Sequence, residues 1–417
     1  MERLVSALGV LVMMGLAYAM CPKDKRKHVA WKSIGFGVLV LVGFAFIVLK
    51  TPARVVFSWG NDVVERLLAF TKAGAEFVFG GLAGNPASNG VGFIFAFQVL
   101  PTIIFFAALM GILYHVGFMP FVIRHMARFI AKVLKTSGAE SFSTVADIFV
   151  GQTEAPLVIR PYISSLTMSE LNACMVAGFA TTAGGVLAAY VAMLNQHIPG
   201  IAGHLIACSV MCAPASIVIA KLMLPETGEP RTMGNTQIDV PRSNSNLLEA
   251  ITVGTTDGLT LAINVAAMLI SFTAIMALVN FLLGWVGTNL LGTALSLEHI
   301  TGVLFAPIAF FIGVPAEDIF KVGGLLGTKT VLNEFVAYSS LTQELAKDPA
   351  WLTERSRLLA SYALCGFANF ASIGIQIGGY SGLAPERRGD LSTLGFKAML
   401  GGFLTTCLVA CVAGILL

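Results

Sequence analysis

Apolar residues in this chain come in long blocks rather than alternating with polar ones. A membrane-crossing helix needs about 20 predominantly apolar residues. Blocks near that length occur at roughly 4–21, 33–49, 96–118, 168–194, 200–223, 251–286, 356–380 and 391–416. They predict eight transmembrane helices, the sixth long and tilted. Two other stretches, 138–165 and 316–345, break the pattern. Each has two apolar arms, too short to cross singly, around a polar centre. The first centre is Gly151-Gln152-Thr153-Glu154-Ala155-Pro156; the second is Thr328-Lys329-Thr330 leading to Asn333-Glu334. Re-entrant helical hairpins fit these lengths, because irregular backbone at bilayer depth is tolerated only where protein buries it or it lines a cavity. Residues 61–79 mix an apolar stripe with Glu65, Arg66, Lys72 and Glu76 and predict an interfacial amphipathic helix. Residues 300–314, apolar but short, are placed at the interface too. The predicted fold is an all-α polytopic membrane protein with two re-entrant hairpins.

Charge orients the spans. Only Arg3, offset by Glu2, precedes the first apolar run, whereas Lys23, Lys25, Arg26, Lys27 and Lys32 follow it. That order is wrong for a cleaved signal peptide. It predicts a retained first span with the N-terminus outside and a basic cytoplasmic loop at 22–32. Arg124, Arg128, Lys132 and Lys135, the loop 224–249 and the segment Glu386-Arg387-Arg388-Gly389-Asp390 then also fall inside. The loops around 51–60, 195–199 and 287–299 fall outside with few basic residues, and so does the C-terminus.

An internal repeat organises the chain. Gly178-Phe179-Ala180-Thr181-Thr182-Ala183-Gly184 follows the first hairpin, and Gly366-Phe367-Ala368-Asn369-Phe370-Ala371-Ser372 follows the second. Both lie mid-span, where small and polar residues let a helix unwind. The order span, interfacial segment, hairpin, interrupted span, span occurs twice, starting from opposite sides. Such inverted repeats mark secondary transporters with a midplane site between broken helices. The expected organisation is N-terminal spans with the interfacial helix (1–95), a first repeat (96–223), a cytoplasmic loop (224–250) and a second repeat (251–417).

Composition agrees with a bilayer environment. Of 417 residues, 56% are hydrophobic and 12% charged, against about a quarter charged in a soluble domain. A dispersed net charge of +3 gives no basic surface for nucleic acid. Six of the seven cysteines lie inside apolar helical stretches and no CxxC occurs, so buried small hydrophobes are expected rather than disulfides or zinc. The six histidines form no cluster in the sequence.

Ionisable groups at bilayer depth cost roughly 2.5–3.5 kcal/mol on insertion scales, and each needs a reason. Glu154 and Glu334 occupy the two hairpin centres. Each either accepts hydrogen bonds from a polar solute, with Gln152, Thr153, Asn333, Asn369 and Ser372 completing the lining, or satisfies its own tip or pairs with Arg160 or Lys329. Their matched positions in the repeat favour the solute. Asp147, about one turn before the first tip, is a cation ligand or proton carrier, or else a cap. Arg160 and Lys329 are expected to anchor hairpin arms, and Asp257 to be solvated or capping.

Three stretches carry a family resemblance. Val150-Gly151-Gln152-Thr153-Glu154-Ala155-Pro156-Leu157, Asn333-Glu334-Phe335-Val336-Ala337-Tyr338 and Cys365-Gly366-Phe367-Ala368-Asn369 resemble concentrative nucleoside transporters, especially their bacterial sodium-coupled branch. The similarity runs from about residue 35 to the C-terminus and includes Phe95-Ala96-Phe97 and Ala384-Pro385-Glu386-Arg387-Arg388. It implies a homotrimer in a bacterial-type cytoplasmic membrane. In each subunit a scaffold would hold a mobile transport domain that carries both hairpins in an elevator-like motion. By motif, Gln152, Thr153, Glu154 and Val186 would contact a nucleobase; Glu334, Asn369 and Ser372 would hold ribose hydroxyls, with Phe367 lining the site. Asp147, Val150, Thr181 and Thr182 would form the cation site, with Na+ as coupling ion and no organic cofactor. The branch carries Asn where this chain has Asp147, and a buried carboxylate there opens H+ coupling as the alternative.

An intramembrane protease is the competing class. Gly379-Tyr380-Ser381-Gly382 matches the GxSG of rhomboid-type serine proteases, which need a histidine base on a later helix. No histidine follows His299, so that dyad is incomplete and the chain is expected not to be an enzyme. A secondary transporter of another small polar solute is the further alternative, and alternating access by an inverted hairpin pair is favoured over a continuous channel.

Overall fold

The computed structural model describes residues 1–51, 54–84, 94–234, 245–292 and 295–417, and the described residues contain helices and no strands. Part of the expected cytoplasmic loop, 235–244, lies outside the described residues. The chain opens with α1 (Glu2–Ala19), α2 (Trp31–Lys50) and α3 (Arg54–Phe79). The outer loop expected over 51–60 is therefore mostly helix. Val55, Val56 and Trp59 extend in sequence the apolar stripe that continues at Val63, Val64, Leu67 and Leu68, so the amphipathic helix starts earlier than expected.

The first half continues as α4 (Phe95–His115), α5 (Phe118–Leu134), α6 (Gly138–Asp147), α7 (Met168–Ala180), α8 (Gly184–Leu194) and α9 (Ile201–Met223). The second half is α10 (Leu247–Val286), α11 (Leu297–Ile312), α12 (Ile319–Val331), α13 (Glu334–Lys347), α14 (Glu354–Leu364), α15 (Phe370–Leu383) and α16 (Arg388–Leu416). One sequence of elements occurs twice. A long helix and a second helix lead to two short segments meeting at a tip; a broken helix and an unbroken one follow. The breaks fall at Thr181–Ala183 and Cys365–Asn369, within the two stretches of small and polar residues.

Local chemistry sets these boundaries. α6 and α7 both start with a capping box: Ser137 and Thr167 accept from the backbone N–H of Glu140 and Glu170, whose carboxylates accept from the cap residues in return. After α6 the chain turns through Ile148–Glu154, then makes a single helical turn at Ala155–Val158 and two tighter ones at Arg160–Ser165. Pro156 and Pro161 fit these short segments because neither can donate within a longer helix. The second tip is sharper. Only Leu332 and Asn333 separate α12 from α13. Thr328, Lys329 and Thr330, expected in the polar centre, instead close α12, where both threonine hydroxyls bond back to Gly324 and Leu326 carbonyls.

Seven helical stretches among the described residues are long and apolar enough to cross a membrane. They match the expected spans except 356–380, which is the α14–α15 pair. Along their most apolar stretch, α9 and α16 are 83% buried and α7–α8 is 89% buried, against 6% for α10. The first broken helix and the unbroken α9 and α16 thus form the core, whereas α15 buries only Ser372, Gln376 and Tyr380. α10 is 40 residues long, about 60 Å. Its N-terminal half packs on α4 through Gly254 and Gly258, set against Ala107, Ala108 and Ile104. Residues 300–314, expected at the interface, form most of α11, which packs closely along α12.

Candidate binding site at the two hairpin tips

The two helix breaks cross at the middle of the core. Thr182 Oγ1 lies 3.0 Å from Cys365 Sγ. Gly366 has φ of +93°, and a Cβ there would stand 2.5 Å from the carbonyl oxygen of Ala180. Only glycine meets both demands. The first hairpin tip lies against the first break: Gly184 N donates to Phe149 O at 2.9 Å, and Gly151, with φ of +86°, sits against Ala183.

Lys329 holds the second hairpin to this crossing. Fully buried, its Nζ donates to the carbonyls of Ala363 and Cys365 at 2.9 and 3.0 Å and to Thr406 Oγ1 at 3.1 Å. It anchors an arm, as expected. Arg160 is exposed, and Asp257 is exposed within α10, whose N-cap is Asn246.

Glu334 is buried at the first position of α13, where the helix's exposed N–H groups favour a carboxylate. Its Oε1 accepts from Tyr190 Oη at 3.1 Å, and its Oε2 accepts from Asn369 Nδ2 at 2.9 Å. Asn369 is the N-cap of α15: its Oδ1 accepts from Ser372 N at 2.9 Å. A backbone N–H can only donate, so Asn369 must turn its NH2 toward Glu334. Asn333 caps α13 in the same way, accepting from Val336 N.

On the other side, Gln152 is buried in the first tip. Its Nε2 approaches Ser372 Oγ at 3.4 Å, and its Oε1 accepts from Gln376 Nε2 at 3.0 Å. Thr153 and Glu154, next along the tip, are exposed, and neither side chain has a hydrogen bond or ion pair among the described residues. Val186 is buried one turn into α8, and Phe367 is half-buried in the second break. Glu334, Asn369, Ser372 and Gln152 thus form one continuous polar network that joins both hairpin tips to the second break.

Asp147 ends α6. It is 1% exposed, and neither carboxylate oxygen has a hydrogen-bond partner among the described residues. Such a group needs a cation or a proton. Val150 follows in the tip, half-buried, and Thr181 and Thr182 are buried in the adjoining break. Thr181 Oγ1 donates to Ala177 O, leaving its own lone pairs free to accept.

Two contributors escape a reading by residue type. Tyr190 and Gln376 lie in helical stretches whose sequence reads as packing surface, and only folding brings them to Glu334 and Gln152. Ser381, considered above as a nucleophile, simply bonds back to the Ile377 carbonyl.

Family models covering most of the chain match it. They are the Na+ dependent nucleoside transporter N-terminus over 8–82, the nucleoside recognition Gate over 96–197, and the Na+ dependent nucleoside transporter C-terminus over 204–414. The chain belongs to the Na+-dependent, or concentrative, nucleoside transporter family. An uncharacterized transporter of Haemophilus influenzae is 42% identical over all of this chain and 98% of its own. The rat sodium/nucleoside cotransporter 1 is 39% identical, and this chain spans 64% of its length. The fold superposes on CNTnw in an inward-facing substrate-bound state with a TM-score of 0.92 at 39% identity, covering 100% of this chain and 98% of that one. A CNTnw variant in an intermediate state gives 0.90, covering 99% and 98%. Membership in this family makes the chain an integral membrane protein, in keeping with the seven long apolar stretches among the described residues.

Proposed function

We propose that this chain is a sodium-coupled symporter that imports nucleosides across a bacterial-type cytoplasmic membrane, with both termini outside. The observation that carries this reading is the polar network linking Glu334, Asn369, Ser372 and Gln152 across the two hairpin tips. A nucleoside presents hydroxyls at one end and ring carbonyls or nitrogens at the other. The Glu334 carboxylate, oriented by Tyr190 and Asn369, accepts from ribose hydroxyls. Gln152, Thr153, Glu154 and Val186 face the base, Ser372 serves the ribose from between them, and Phe367 lines the site. Groups built to pair with hydroxyls reject analogues lacking them, since the site is then left with unpaired buried groups.

Sodium is taken up with the nucleoside at Asp147, Val150, Thr181 and Thr182. The orphaned Asp147 oxygens and the accepting Thr181 hydroxyl suit a hard cation. Asp147 also favours a second reading, in which it carries a proton and H+ is the coupling ion. In either case the hairpins and broken helices move as one transport domain against a scaffold that includes the N-terminal spans and α10. Three such subunits meet through the sparsely covered α10. Residues 96–223 and 251–417 act as inverted repeats about the site, joined by the cytoplasmic segment 224–250.

The test is uptake of labelled uridine and adenosine into proteoliposomes, with sodium and proton gradients imposed separately. Saturable uptake that collapses with the sodium gradient supports the first reading, and collapse with the proton gradient alone supports the second. Uptake indifferent to both removes coupling, and no uptake of any nucleoside removes the substrate assignment.

A further inference from the structure

Gln376, on α15, belongs to no stretch that carried the family resemblance, yet it makes the central link between the two halves of the site. Its side chain is fully buried. The Nε2 atom donates to the Met175 carbonyl at 3.1 Å and to Gln152 Oε1 at 3.0 Å. A backbone carbonyl can only accept, so the Met175 carbonyl fixes which end of the Gln376 amide faces α7. That leaves Gln152 one orientation. Its oxygen must face Gln376, and its Nε2 must turn toward Ser372 Oγ. Gly178 makes room for the arrangement: a Cβ there would lie 2.6 Å from Gln376 Nε2 and 3.0 Å from Gln152 Cβ.

We propose that Gln376 is a positioning residue for substrate recognition: anchored by the Met175 carbonyl, it locks the Gln152 amide with its N–H groups toward the substrate, so that this edge of the site reads a hydrogen-bond acceptor on the nucleobase. The inference rests on the nucleoside reading above. A free glutamine amide presents donor or acceptor with little preference, because a half-turn about the terminal bond exchanges them. One bond from Gln376, whose own direction is set by the backbone, removes that freedom. Gln376 never needs to touch the substrate.

The test is a double-mutant cycle in proteoliposomes. Gln376→Met keeps length and bulk but removes the donor. Its KM for uridine rises roughly five- to tenfold, the worth of about one hydrogen bond, with maximal rate within about twofold. Discrimination between uridine and analogues lacking one ring carbonyl oxygen at a time falls, while discrimination against 3′-deoxyuridine, read on the Glu334 side, is unchanged. On a Gln152→Met background, Gln376→Met costs nothing more, because Gln376 acts through Gln152 alone. If the single Gln376 variant does not fold, the Gln152→Met/Gln376→Met pair, which leaves neither amide orphaned, is compared with Gln152→Met. Additive losses, unchanged base discrimination or parallel loss of ribose discrimination overturn the proposal. Failure of the wild-type protein to take up any nucleoside strikes the functional reading instead, and is seen before any variant is made.

Discussion

At the scale of single residues, direction matters as much as identity. Glu334, Asn369 and Gln152 are polar side chains any solute site could use, but each is oriented by a partner with fixed hydrogen-bonding sense. Tyr190 donates to one oxygen of Glu334 and Asn369 to the other. Tyr190→Phe removes one donor to a carboxylate, an interaction worth about 1.5–3 kcal/mol. The expected outcome is a rise of tenfold or more in KM for uridine with little change for a nucleoside lacking ribose hydroxyls, measured by initial uptake rates. Glu334→Ala abolishes uptake while the protein still elutes as a folded species in size exclusion. Retained wild-type transport in that variant removes Glu334 from the site. The exposed neighbour Glu154 has no bonding partner among the described residues, and Glu154→Gln is expected to change base preference more than stability.

At the scale of elements, each hairpin tip is completed by the other repeat. Tyr190 on α8 reaches the second tip, and Gln376 on α15 reaches the first. Both helices follow a break, and the breaks cross where Gly366 meets Ala180. Gly366→Ala combines a positive φ with a Cβ that meets backbone, which cannot give way as a side chain tip can. A loss of about 2 kcal/mol or more is expected, read as a lower melting temperature in detergent. Lys329→Met leaves the Ala363 and Cys365 carbonyls buried without their donor, at about 1–3 kcal/mol each. The same thermal assay should show it among the most destabilising single changes in the second hairpin.

At the scale of the whole molecule, burial is uneven in a way that a membrane and partner subunits would explain. α7, α9 and α16 are enclosed, whereas α10 runs about 60 Å with only its first half against α4. The large apolar residues Ile270, Leu278, Phe281 and Trp285 on its second half are all exposed. If three subunits meet along α10, cysteines placed together at positions 278 and 281 of each subunit, in a background lacking the seven native cysteines, will cross-link between subunits in native membranes. The products would run as dimers and trimers on denaturing gels, and a strictly monomeric pattern would reject the trimer.

The sequence alone determined the environment, the two hairpins, the two breaks and the residue types at the tips. These follow from block length and from the cost of polar groups at bilayer depth, both properties of consecutive residues. It placed Lys329 as an anchor without naming the carbonyls that hold it, and it set Thr328 and Thr330 in a polar centre that proves to be the end of a helix. A threonine bonding back to its own helix and a threonine facing a solute look alike in one dimension. Tertiary structure alone decided that Tyr190 meets Glu334 and Gln376 meets Gln152. Both sit in apolar helices, and their partners lie 144 and 224 residues away in the chain. The donor or acceptor face of an amide is set by whichever backbone group lies beside it after folding, and residue type does not encode that.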